Sequence, residues 1–304
     1  MSASSSRRRL ALLAAAATGV QVGAAMVATR PLLLELGPAT LACLRYAVAL
    51  ACLLTWVRPA ALRPLRRWPW RETAAVAALG VLQFGLLIAL LNAGLRTVTA
   101  GLGALLFTTF PVLTLVVAAS LGREPWSGRV LLGMGLAVAG VGVALGVGLA
   151  DMPGGAGAGL GAACVLAAAL CGAVCSVLYR PLLQRHPSRL VAVVAMSASV
   201  LVLMPAALFE GMGTALPALS AAGWGWLAFI GVSSGVAYAL WLWALSELPA
   251  TRVTIFLALA PLTAMGLGAA WLGEPLGWAA AAGLVLVLAG LAVTLRPGRA
   301  GARA

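Results

Sequence analysis

The sequence predicts an all-α integral membrane protein of ten transmembrane helices, arranged as two inverted five-helix repeats. Three observations predict it. Hydrophobic residues fill 63% of the 304 positions and charged residues only 9%, against about a quarter charged in soluble domains. Ten apolar stretches have the length needed to cross a bilayer. The chain also resembles itself at an offset of 150 positions.

The first span covers residues 10–28 and follows Arg7-Arg8-Arg9. A basic start before Leu10–Ala17 resembles a cleavable signal peptide. Its counterpart lies deep inside the chain, however, so it reads as a retained helix. Four more spans follow at 39–57, 73–91, 100–120 and 129–149. The second five lie at 158–178, 190–209, 222–245, 250–270 and 277–295. Short linkers leave no room for a soluble catalytic domain.

The offset of 150 needs no gaps. Arg30-Pro31-Leu32-Leu33 falls on Arg180-Pro181-Leu182-Leu183, Pro111 on Pro261, Glu124-Pro125 on Glu274-Pro275, and Ala139-Gly140 on Ala289-Gly290. The chain therefore divides into repeats 1–150 and 151–304. Five crossings is an odd number, so the second copy enters the membrane upside down. Inverted repeats around an axis in the membrane plane are a transporter architecture.

Charge fixes the orientation. All twenty basic residues are arginine. Assigning alternate loops to alternate sides puts seventeen on one side and two, Arg30 and Arg96, on the other, with Arg45 inside a span. Basic loops stay in the cytoplasm, so both termini are expected there, in a multi-pass protein of the inner membrane. The formal charge of +13 then reflects orientation and attraction to anionic lipid head groups, not a nucleic-acid partner. Cys43, Cys52, Cys164, Cys171 and Cys175 lie in apolar spans without nearby His or Asp, so they read as core residues rather than metal ligands. No cofactor motif and no Walker motif appears.

The stretch L-N-A-G-L-R-T-V-T-A-G-L-G-A-L-L-F-T-T-F-P-V-L-T followed by L-G-R-E-P resembles the EamA family of the drug/metabolite transporter superfamily. The second half repeats it as A-L-S-E-L-P-A-T-R-V-T-I-F-L-A-L-A-P-L-T and L-G-E-P, and L-R-Y at 44–46 is similar to the family's arginine-aromatic pair. The resemblance covers about 10–296. It implies ten helices, cytoplasmic ends, a central cavity, and export of a small metabolite, amino acid-like solute or drug. Arg45 has no twin, since position 195 is alanine.

Polar groups at membrane depth turn inward and are functional candidates. Gln83 and its twin Ser233 sit near the middle of spans 3 and 8. They read as a substrate site or as an interhelical hydrogen bond. Ser234, Tyr238 and Trp241 share one helical face as a cavity wall or an aromatic packing surface. Gln21 and Asn92 join the candidates. Arg45 lies roughly 10 Å below the outer end of its span, at 1.5 Å per residue. It either binds an anionic group, or snorkels outward or pairs with Glu35.

Pro111 and Pro261 interrupt spans 4 and 9 and free the carbonyls of Phe107 and Leu257. Thr108 and Thr109 lie beside the first. Both prolines read as hinges bordering the cavity. Glu124 and Glu274 precede prolines that suit a helix start, as helix caps or as gates. Gly142 and Gly146 form a G-x-x-x-G that allows close helix contact, within the chain or across a homodimer.

G-V-S-S-G at 231–235 fits the G-x-S-x-G of serine hydrolases, but that chemistry needs a strand-to-helix elbow and a histidine base. The sole histidine, His186, is in a loop. The sequence therefore reads as a secondary transporter working by alternating access, not an enzyme. An intramembrane hydrolase using Ser233, or a membrane receptor or scaffold, is the alternative.

Overall fold

The computed structural model describes residues 3–56, 59–123, 156–273 and 277–295, with isolated positions between 128 and 143. Most of the fifth predicted span, Glu124, Glu274 and the pair Gly142/Gly146 lie outside the described residues. No strand occurs among the described residues.

The helices are α1 (Ala3–Leu32), α2 (Pro38–Trp56), α3 (Trp70–Leu95), α4 (Ala100–Ser120), α5 (Ala156–Arg185), α6 (Ser188–Phe209), α7 (Ala221–Glu247), α8 (Ala250–Leu272) and α9 (Trp278–Leu295). The first eight are long and apolar enough to cross a membrane. A 3₁₀ segment, Pro59–Arg67, and a short helix, Met212–Ala218, fill two links that the sequence leaves as loops. Starts carry local reasons. Thr99 caps α4 by accepting from the Leu102 amide at 3.2 Å, and Ser220 caps α7 through Gly223 at 2.9 Å. α4 and α8 each end against a glycine in the left-handed region, Gly122 and Gly273, a conformation that side chains resist.

Contacts across the bundle establish the inversion directly. α2 and its repeat counterpart α6 run antiparallel. Thr40 Oγ1 donates to Ala207 O at 3.3 Å, while Cys43 approaches Val200 O at 3.8 Å, so residue numbers rise on one helix as they fall on the other. α1 runs antiparallel to α7, from Arg7–Glu247 at 3.5 Å to Thr18 Oγ1 at 3.1 Å from Ala237 O. Their counterparts α5 and α3 repeat the arrangement, from Cys175 near Leu79 O at 3.7 Å to Gly161 against Gly94.

The exchange of halves extends to single contacts. Gly235 packs on the Ala49 backbone, where a Cβ would meet Ala49 O at 2.9 Å. The counterparts Gly85 and Ser199 also meet, at 3.4 Å from a built Cβ to Ser199 Oγ. The core of the bundle is buried Leu, Ala, Val and aromatic side chains. Leu13, Leu160, Leu201, Phe209 and Val285 stay exposed on the outside, as a lipid-facing surface requires.

Candidate functional site

The antiparallel pairing of α1 with α7 sets Gln21 opposite the two serines. Gln21 Nε2 donates to Ser233 Oγ at 3.1 Å and lies 3.4 Å from Ser234 Oγ. α2 brings Arg45 from the other flank, and its Nε donates to Ser234 Oγ at 2.7 Å. Ser234 is fully buried and Arg45 is 4% exposed. Four of the expected residues, from three helices and both halves, thus form one polar cluster.

This burial corrects the second of the two readings of Arg45. The side chain does not snorkel, and it does not pair with Glu35. The Glu35 carboxylate is held instead by Ser220, accepting from its amide at 2.7 Å and its hydroxyl at 2.9 Å. Arg45 forms no ion pair with any described carboxylate. A guanidinium at mid-helix is about 2.5–3.5 kcal/mol uphill on insertion scales, and hydrogen bonds alone leave its charge uncompensated.

Aromatic rings wall the cluster. Tyr238 meets Phe84 at 4.7 Å and Tyr46 at 5.7 Å between centroids, and Tyr46 meets Phe84 at 5.1 Å. The Arg45 guanidinium carbon lies 5.6 Å from the Tyr46 ring centre, a cation–π distance. Trp241 is buried edge-on to Phe110 at 6.2 Å. A cavity of about 20 Å³ remains, lined by Met26, Thr29, Arg45, Leu87, Phe107 and Tyr238 among others. It holds no more than a water-sized guest, so the described side chains pack closely around the cluster. Phe84 escapes sequence reasoning altogether; Tyr46 was visible only as the aromatic half of L-R-Y.

Gln83 and Ser233 do not hydrogen-bond to each other, because Ser233 is taken by Gln21. Gln83 sits instead in a π-helical turn, Val81–Leu86, and is 4% exposed. Its Oε1 is buried without a partner among the described residues. Such turns widen a helix locally and recur at functional positions. Asn92 lies apart, donating to Pro38 O at 3.0 Å and tying α3 to the start of α2.

The two proline-bearing helices break one turn early. α4 is interrupted at Thr108-Thr109 before Pro111, and α8 passes through a 3₁₀ turn, Ile255–Ala258, before Pro261. Thr108 and Thr109 donate back to the carbonyls of Leu105 and Leu106, the second at 2.8 Å. They therefore close their own turn rather than serving the Phe107 carbonyl freed by proline. Phe107 itself lines the central cavity.

Residues 9–146 and 159–296 each match the EamA-like transporter family, which the match describes in two copies. The chain belongs to the EamA-like transporter family. It is 30% identical over 213 residues, 69% of this chain and 69% of the relative, to the "Probable terminal-alkyne amino-acid exporter" of Streptantibioticus cattleyicolor. A protein of known crystal structure superposes with a TM-score of 0.68 over 96% of both chains at 19% identity, which shows a shared fold. This EamA-like chain is a membrane transporter of the drug/metabolite transporter superfamily.

Membership weakens the hydrolase alternative for this EamA-like protein, and the geometry of Ser233 gives it no support. The Ser233 hydroxyl contacts Gln21 and the Ile230 carbonyl at 3.4 Å, neither of them a base. His186 is bound elsewhere, to Glu72, and stacks on Trp68 at 3.9 Å.

Both ends of the bundle carry polar latches. At the arginine-poor end, Glu35 holds Ser220, and Glu210 accepts from the amides of Thr40 at 2.7 Å and Ala39 at 3.1 Å. At the arginine-rich end, Glu72 is gripped by Arg185 at 2.8 Å and by His186. These links join the end of one half's helix to the start of the other's.

Proposed function

We propose that the protein exports a small amphipathic carboxylate, amino acid-like in form, across the cytoplasmic membrane by alternating access. The observation that carries this reading is Arg45: buried, bonded through Nε to Ser234, and lacking a carboxylate partner among the described residues. A solute carboxylate supplies the missing counter-charge through the remaining guanidinium donors. Gln21 and Ser233 offer neighbouring polar contacts. The Tyr46, Phe84 and Tyr238 rings accept an apolar side chain. The amino-acid exporter named above supports the same class.

In this reading the arginine-rich end and both termini face the cytoplasm. Segments 1–150 and 151–304 are the moving units, hinged where Pro111 and Pro261 break their helices. The latches at the two ends open in turn.

The test is flux in vesicles. Purified protein in liposomes loaded with unlabelled L-leucine is expected to exchange it for external labelled L-leucine. L-leucinamide, which has the same side chain and no carboxylate, is expected to move poorly. A protein that moves neither, nor any of the other apolar amino acids, sinks the reading.

A further inference from the structure

A second basic pocket opens at the arginine-rich end, apart from the Arg45 cluster. It begins with a proline. Pro181 lies inside α5, has no amide hydrogen, and leaves the Val177 carbonyl without its helical donor. Arg123, just beyond α4, fills the gap: its Nη1 donates to Val177 O at 2.5 Å. That bond fixes a guanidinium at the wall of a cavity of about 250 Å³.

Arg180 lines the same cavity, and Gln184 follows one helical turn later. Arg180 Nε is buried and has no hydrogen-bond partner among the described residues. A buried donor left unmade costs the full desolvation of the group, so an acceptor is expected there. Among the described residues the other walls are apolar, from Ala118, Val177, Pro181 and Ala250, and no described carboxylate lines the cavity. Two guanidinium groups and an amide favour a planar oxyanion, because the guanidinium fork matches two oxygens at once. The volume lies just below the usual range for ligand pockets, about 300–1,000 Å³, which suits the polar end of a small solute.

The repeat shows that this pocket is one-sided. Arg180 has a counterpart in Arg30, but Arg30 Nη1 donates to Val98 O at 3.1 Å. The counterpart of Arg123 is Gly273. The positions equivalent to Arg180 and Arg123 therefore carry one guanidinium at the other mouth, that of Arg30, and it is bonded to Val98 O.

We infer that Arg123, Arg180 and Gln184 form a cytoplasmic loading site that receives the solute's carboxylate before it reaches Arg45. The assignment rests on the export reading above. An anionic lipid phosphate has similar chemistry, and the test separates the two sources.

The full-length protein is placed in phosphatidylcholine nanodiscs, and its unfolding midpoint is followed with L-leucine or L-leucinamide. L-leucine is expected to raise the midpoint and L-leucinamide not. In an Arg45→Gln background, which removes the central site, the rise is expected to persist and to be lost on adding Arg180→Gln or the milder Gln184→Leu. In liposomes, Arg180→Gln raises the cytoplasmic-side KM about tenfold with kcat little changed, the loss of one charged hydrogen bond. The inference fails if L-leucine does not stabilise the wild type, or stabilises both double variants as well as it does Arg45→Gln. It also fails if phosphatidylglycerol in the nanodisc gives an Arg180-dependent rise that L-leucine does not. Transport with an unaltered KM in Arg180→Gln removes the loading site and leaves the export reading standing. Arg180-dependent binding in a protein that moves no solute does the reverse.

Discussion

The carboxylate of Glu35 grips Ser220 at the start of α7, at 2.7 Å from its amide and 2.9 Å from its hydroxyl. At the opposite end, position 185, the repeat counterpart of position 35, grips the start of α3: Arg185 reaches Glu72 at 2.8 Å. The same joint is thus built twice, with opposite charge chemistry. Glu35→Ala removes one latch and Glu72→Ala the other. A cysteine placed at cavity-lining Thr29 is expected to react faster with an impermeant maleimide from outside in Glu35→Ala, by about fivefold for roughly 1 kcal/mol. In Glu72→Ala the outside rate is expected to fall or stay level. Equal acceleration in both variants contradicts the latch assignment.

Close helix contact should fail where the backbone leaves no room. A Cβ at Gly80 would lie 2.3 Å from Ala195 O and 2.4 Å from Ala195 Cα, and neither atom can swing aside. Gly80→Val is expected to cost about 1–3 kcal/mol or more as an overpacked core, read as a lowered unfolding midpoint in detergent. Gly266→Ala, with open space at its Cβ, serves as the neutral control.

Pro111 sits just after the Thr108-Thr109 break in α4. Pro111→Ala restores an amide donor and favours a continuous helix. Transport is expected to slow while membrane insertion stays at the wild-type level. Vesicle flux and quantified membrane yield measure the two separately, and unchanged kinetics remove the hinge role.

Gln83 presents a partnerless oxygen in the π turn of α3. Gln83→Leu removes that acceptor without a large change in volume. If the oxygen meets solute, KM rises while the unfolding midpoint holds or increases, since a buried unsatisfied group is gone. A lowered midpoint with unchanged KM assigns it to helix packing instead.

The spans and the repeat were readable because hydropathy and landmark residues are local signals. Pro111, Pro261 and the two Arg-Pro pairs keep their spacing, and every span but the fifth, most of which lies outside the described residues, is a helix. The site was only partly readable, because pairing depends on helix rotation. Gln83 and Ser233 match in sequence position, yet the α1–α7 packing gives Ser233 to Gln21. Hydropathy alone leaves Arg45 free to snorkel, whereas in the fold Ser234 faces it. The π turn leaves hydropathy unchanged and has no sequence mark. The link from Arg123 to Val177 did leave one: a proline within α5 must free the carbonyl four residues earlier, although only the fold says which side chain answers.

Arg45 carries the central claim, and L-leucine counterflow in liposomes tests it most directly. Arg45→Gln keeps a hydrogen-bonding side chain for Ser234 but removes the charge. The account predicts a loss of L-leucine counterflow of about tenfold or more, as for a lost charged hydrogen bond. It also predicts partial recovery in Arg45→Lys and a normal unfolding midpoint in both. Wild-type counterflow in a well-folded Arg45→Gln protein would contradict it.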